Sequence, residues 1–203
     1  MEFRFKRWRL ELEYLFFAVV AFLLFTDKSG VGLLGLLATV LHEGGHLVAI
    51  LFLHGRVKSV RFHAFGVDIA EAGRARRGYL ADALVALAGP SVNMLFCVLS
   101  ALVYCVWKNP LVWEFIFVNS AIAWFNILPV EALDGGQALY ALLCAKCRPK
   151  IAADIVAVVS FLVLLPTAVI GFLMLLQSRY NFTLFFVSIY LMALLVLKRG
   201  RFF

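Results

Sequence analysis

The sequence predicts an all-α membrane protein, a polytopic bundle of six transmembrane helices with one small β-hairpin. Three observations predict it. The 203 residues are 64% hydrophobic and only 15% charged, against roughly half and a quarter in ordinary soluble domains. The apolar residues gather into long runs. The basic residues fall almost wholly on one side of those runs. The length fits a single membrane domain over 1–203. No small-residue cleavage site follows the first apolar run, so a removed signal peptide is not expected.

The runs lie at roughly 10–26, 31–54, 79–107, 110–130, 151–176 and 181–197. About 20 apolar residues cross the hydrocarbon layer, and most of these runs reach that length. The first departs furthest from a span. Its strictly apolar part, 15–25, is short, and Glu11 and Glu13 stand at its start. The third exceeds what a span needs. It is expected to begin at the interface near Tyr79 and to bend at Pro90. Between the second and third runs, "RVKSVRFHAFGVDIA" (56–70) places β-type residues around Gly66 and predicts the hairpin.

Charge tests the topology independently. With the N-terminus cytoplasmic, six spans return the C-terminus to the same side. The inside segments then hold Arg4, Lys6, Arg7 and Arg9; Arg56, Lys58, Arg61, Arg74, Arg76 and Arg77; Lys146, Arg148 and Lys150; and Lys198, Arg199 and Arg201. Only Lys28, Lys108 and Arg179 remain outside. This obeys the positive-inside rule and accounts for the net charge of +7. No single basic patch with a recognition motif is present, so no nucleic-acid partner is expected.

"LHEGGHLVAI" (41–50) sets His42, Glu43 and His46 in the middle of the second run. A charge at the bilayer centre costs about 2.5–3.5 kcal/mol on insertion scales, and such residues usually mark function. On a helix, positions i and i+4 share a face, so the two imidazoles can grip one metal ion. Glu43 stands beside the first ligand, placed to take a proton from water on the metal. This is the H-E-x-x-H pattern of zinc hydrolases. Zn²⁺ lowers the pKa of its water towards about 7, and Glu43 would act as general base and pass the proton to a leaving amine. Gly44 and Gly45 are poor helix formers. They read as clearance for a neighbouring helix or for substrate.

A catalytic zinc site takes three protein ligands and keeps one position open. The third ligand is sought in "FNILPVEALDGGQALY" (125–140), where Pro129, Gly135 and Gly136 interrupt the fourth run. Broken backbone at membrane depth is tolerated beside protein or a wet cavity, and Asp134 stands at the break. Alone, Asp134 with its two glycines reads equally well as a turn at the cytoplasmic edge. Beside two histidines that need a third ligand, it reads as that ligand.

At this point the chain resembles the site-2 proteases, intramembrane zinc metalloproteases. The resemblance rests on "HEGGH" at 42–46, on Asn126, Pro129, Asp134 and Gly135, and on "GPSVN" at 89–93. It covers about 31–140 by motif, which is the expected catalytic core, and the whole chain by its six-span layout. The short sporulation-type branch, which processes a sigma-factor precursor, is the most similar. The resemblance implies Zn²⁺ held by His42, His46 and Asp134, with Glu43 catalytic. It implies that Asn126, and with it Asn93, supports the substrate or the oxyanion. It also implies a hairpin beside the active site, where an unwound substrate adds a strand. The implied partners are a membrane-protein substrate helix, the lipid bilayer and a regulatory membrane protein. Neither a PDZ nor a CBS domain is expected. Glu131 departs from the prolines common just before the Leu-Asp-Gly of the motif.

The other polar residues carry less. Interhelical hydrogen bonding is the plain reading of both asparagines. His54 and His63 are expected to be structural. Cys97 and Cys105 read as small hydrophobes. The "CAKC" at 144–147 has no second pair to complete a structural zinc site. The competing class is a non-proteolytic metal-binding membrane protein or a transporter. A transporter needs polar residues recurring along several spans, whereas here they concentrate in two segments, with Asp82, Glu114 and Asp154 near span ends.

Overall fold

A computed structural model describes residues 2–4, 9–63, 66–72, 77–177 and 183–197. The chain forms two compact units, Met1–Trp124 and Phe125–Phe203. Charged residues of the topology argument such as Lys6, Arg7, Arg74, Arg76, Arg179, Lys198, Arg199 and Arg201 lie outside the described residues.

The first unit runs β1 (Glu2–Arg4), β2 (Arg9–Leu12), α1 (Tyr14–Thr26), α2 (Val31–Phe52), β3 (Arg56–His63), β4 (Gly66–Ala72), α3 (Tyr79–Val106) and most of α4 (Pro110–Ile127). The second holds the end of α4, then α5 (Asp134–Cys144), α6 (Pro149–Gln177) and α7 (Thr183–Leu197). Among the described residues, α2, α3, α4 and α6 are long and apolar enough to cross a membrane. Their exposed side chains are large and apolar, for example Leu33, Val40, Leu84, Leu102, Phe117 and Leu162. A bilayer covers such a surface and water does not. The protein is therefore an integral membrane protein.

Six spans were expected; among the described residues four helices reach spanning length, and α1 and α7 are shorter there. α1 has 13 residues, about 20 Å at 1.5 Å per residue, against a hydrocarbon core of about 30 Å. α7 has 15. The first expected run loses its beginning to β2. Arg9, Leu10, Glu11 and Leu12 alternate polar and apolar, the period of a strand. Composition alone had merged that alternation into a helix.

The expected hairpin is present as β3 and β4, antiparallel, with Val60 opposite Ile69. It belongs to a larger sheet of order β1-β2-β3-β4. β2 pairs with β3 in parallel, Leu10 opposite Val60. The Glu13 N–H continues the pairing to the Phe62 carbonyl at 3.0 Å, and the Phe16 and Phe62 rings meet at 5.4 Å. The sheet is tied to α3 through Arg77. Its guanidinium, 10% exposed, pairs with Glu71 of β4 at 2.9 Å and with Asp82 in the first turn of α3 at 2.7 Å.

α2, which carries the histidines, is fixed at both ends. At its start the Asp27 carboxylate accepts hydrogen bonds from Ser29 Oγ at 2.8 Å and from the backbone N–H groups of Gly30 and Gly32 at 3.0 and 2.8 Å. The Ser29 hydroxyl is the main influence holding the Asp27 carboxyl below its ordinary pKa. At its end the Gly55 N–H reaches back to the Ile50 carbonyl at 2.8 Å. His54 takes the left-handed turn between, with φ 60°.

The two central glycines of α2 have different surroundings. A Cβ on Gly45 would stand 2.8 Å from the Ala88 carbonyl of α3 and 2.9 Å from Val92, whereas one on Gly44 meets nothing within 4 Å. Gly45 thus lets the two backbones approach, as small residues do between membrane helices. Gly45→Ala is expected to lower the thermal midpoint of the purified protein by several degrees through overpacking of about 1–3 kcal/mol. Gly44→Ala is expected to leave it unchanged or raise it, since Ala gains up to about 1 kcal/mol in helix propensity.

In the second unit, α5 occupies residues that were expected to be a connecting segment. Its 11 residues are too few to register as a span. Val130 and Leu133, on the loop leading into α5, pack with Leu164 of α6 and Leu191 of α7 in a small core.

Candidate metal centre

His42 and His46 lie one turn apart on α2, with ring centroids 4.9 Å apart and planes at 80°. His42 is 5% exposed, and its neighbour is half-buried. Both rings are held by the same face of α3, at Val85, Gly89 and Asn93, which repeat every four residues.

The hydrogen bonds decide which nitrogens are available to a metal. His46 Nδ1 is 2.8 Å from the Val85 carbonyl oxygen. A carbonyl only accepts, so Nδ1 carries the hydrogen. His42 Nδ1 is 2.9 Å from Asn93 Oδ1 and donates there for the same reason. Asn93 is fully buried. Its NH₂ donates to the Ala38 carbonyl at 3.1 Å and to Asn119 Oδ1 at 3.0 Å, which fixes its oxygen towards His42. In its neutral form each imidazole so held has its lone pair at Nε2, and the two Nε2 atoms are 3.3 Å apart. Bonds of about 2.0–2.1 Å in a tetrahedral zinc site put neighbouring ligand atoms about 3.3 Å apart.

Gly89 makes room for this pair. A Cβ there would press on His46 Nε2 and stand 2.8 Å from His46 Cε1 and 2.9 Å from His42 Cε1.

Asp134 opens α5, and the loop before it is tightly folded. The Val130 N–H donates to the Leu128 carbonyl at 2.7 Å and the Leu133 N–H to the Val130 carbonyl at 2.8 Å. The Glu131 N–H donates to Ser160 Oγ at 2.8 Å, and that hydroxyl, fully buried, donates to the Val156 carbonyl at 2.7 Å. Gly135 and Gly136 are required because a Cβ on the first would run into the Ile127 and Leu128 carbonyls and one on the second into the Val130 carbonyl. The two glycines that flagged a turn from sequence therefore allow a loop to lie on the first turn of a helix.

His42 and His46 offer imidazole nitrogens, and Asp134, which opens α5 in the second unit, offers a carboxylate. Two imidazole nitrogens and a carboxylate oxygen suit a divalent zinc ion. Glu43 follows His42 on α2 and is half-buried, as is Asn126 in the last turn of α4. Asn93, expected among the groups that support the substrate, is the partner of His42. The sequence reading did not single out the Val85 carbonyl, Asn119 or Ser160. The four-residue repeat from Val85 to Asn93 was a usable signal for the first. The cysteines are all free, and Cys144 is buried while Cys147 is exposed.

No protein-family model matches the chain. It is 30% identical over 116 residues to Stage IV sporulation protein FB of Bacillus subtilis (strain 168), covering 56% of this chain and 40% of that protein. Its fold matches the solved structure of the site-2 protease from Methanocaldococcus jannaschii with a TM-score of 0.66 and 20% identity. That match covers 98% of this chain and 94% of the other. The chain resembles the site-2 proteases in sequence and in fold. The sequence match is to a sporulation protein, in line with the branch named from the resemblance. The chain spans under half the length of that curated relative.

Proposed function

We propose that the protein is an intramembrane zinc metalloprotease of the site-2 protease type. It cleaves peptide bonds of membrane-associated or single-span substrates within or near the bilayer, with 31–140 as its catalytic core. The observation that carries this reading is the His42 and His46 Nε2 atoms 3.3 Å apart on one face of α2, with Asp134 proposed as the third ligand. His42, His46 and Asp134 would hold the zinc ion, one per chain. Zinc supplies Lewis acidity and an activated water at neutral pH.

The chain's own residues do the rest. Glu43 accepts the proton of the attacking water and delivers it to the leaving amine. The Asn126 amide donates towards the oxygen of the scissile carbonyl, where negative charge develops. The substrate must unwind, because helical amides are shielded by their own hydrogen bonds. β4, at one edge of the sheet, offers backbone groups for an extended segment. The distribution of Lys and Arg supports a cytoplasmic side for both termini. The partners are a substrate helix, the surrounding lipid and a regulatory membrane protein, with no role for nucleic acid.

The test is cleavage of a single-span substrate by the purified full-length chain in proteoliposomes. Stripping the metal with a chelator should abolish cleavage, and added Zn²⁺ should restore it. Cleavage that survives complete metal removal overturns the proposal.

A further inference from the structure

Asn119 lies on α4, two turns from the end of that helix, and is fully buried. It touches neither histidine, yet its orientation is transmitted to one of them. We infer that Asn119 is a positioning residue for the metal centre, selecting the metal-binding tautomer of His42 through Asn93. The inference rests on the reading of His42, His46 and Asp134 as metal ligands.

The argument follows the hydrogens. The Asn119 NH₂ donates to the Phe115 carbonyl at 2.9 Å. A carbonyl takes only a donor, so the amide cannot flip, and Oδ1 must face away from it. Asn119 Oδ1 then accepts from Asn93 Nδ2 at 3.0 Å. The Ala38 carbonyl accepts the second hydrogen of the same NH₂ at 3.1 Å. Two acceptors at one end fix the Asn93 amide, whose two ends are otherwise nearly the same shape. Asn93 Oδ1 is left facing His42 Nδ1 at 2.9 Å. That oxygen requires hydrogen on Nδ1 and leaves the lone pair on Nε2.

Without Asn119 the relay loses one of its two locks. A flipped Asn93 would present NH₂ to Nδ1 and favour hydrogen on Nε2, the tautomer that cannot bind a metal through that atom. Outer partners of metal-bound histidines typically change affinity about 10–100-fold when removed.

The experiment titrates the metal-stripped full-length protein in detergent with Co²⁺ and Zn²⁺, and records imidazole ¹⁵N spectra of the metal-free state. Asn119→Leu should weaken binding of both ions about 10–100-fold and bring up signal from the Nε2–H tautomer of His42. Asn119→Asp, assayed at a pH where the introduced carboxyl is protonated, keeps one donor and one acceptor and should stay within a few-fold of wild type. Should Asn119→Leu lose its helical circular dichroism, Asn119→Ala takes its place. Unchanged affinity and tautomer in the apolar variant overturn the relay, as does an equal loss in the Asp variant. A wild-type protein that binds neither ion overturns the metal reading beneath it. A role in packing alone would lower stability without moving the tautomer or being rescued by Asp.

Discussion

Glu43→Gln is expected to keep the bound metal and lose peptide cleavage, by at least about two to four orders of magnitude, the usual contribution of a positioned general base. Gln matches Glu in shape and in helix propensity, so α2 should form unchanged. What it lacks is a basic carboxylate. His42 and His46 keep their Nδ1 partners, Asn93 Oδ1 and the Val85 carbonyl, because neither contact involves Glu43. The measurement pairs zinc content with the cleavage rate of a single-span substrate. Retained zinc with lost cleavage fits a proton-transfer role. Retained zinc with wild-type cleavage removes Glu43 from the reaction.

Gly89→Ala is expected to have an effect of similar size by a different route. The added methyl meets the His46 ring at Nε2 and Cε1 and the His42 ring at Cε1. Those rings are held from behind by Val85 and Asn93 and cannot retreat without breaking a buried hydrogen bond, a loss of about 1–3 kcal/mol for each orphaned group. One or both Nε2 atoms must therefore leave their present separation of 3.3 Å. Zinc content should fall below half of wild type, and cleavage should fall with it. Gly89 is also a helical glycine, and Ala there gains up to about 1 kcal/mol in helix propensity. Helicity should consequently hold while metal is lost. A uniformly unfolded variant, or one with full zinc, would contradict this use of Gly89.

The sequence singles out the proposed ligands because their chemistry is local. His42 and His46 are one turn apart, and their charge stands out against an apolar run. Asp134 was legible through its glycines. The relay through Asn93 and Asn119 was not, because one amide in each of two helices says nothing about whether those helices bring them together. Ser160 was invisible for the same reason. It reads as an ordinary small polar residue until the Glu131 N–H is seen to end on its hydroxyl. The fold followed the same division. Long apolar runs became α2, α3, α4 and α6. The errors fell where composition and period disagree, at the alternating residues of β2, and where an element is too short to span, at α5. Gly44 and Gly45 looked alike in sequence and differ only in whether α3 lies opposite.

The most direct test of the metal centre is the zinc content and X-ray absorption spectrum of the purified full-length protein. The expected result is one zinc per chain, bound by two imidazole nitrogens and a carboxylate oxygen, and lost on His42→Ala, His46→Ala or Asp134→Ala. Protein without zinc, or zinc whose spectrum is unaltered in the Asp134→Ala variant, would contradict it.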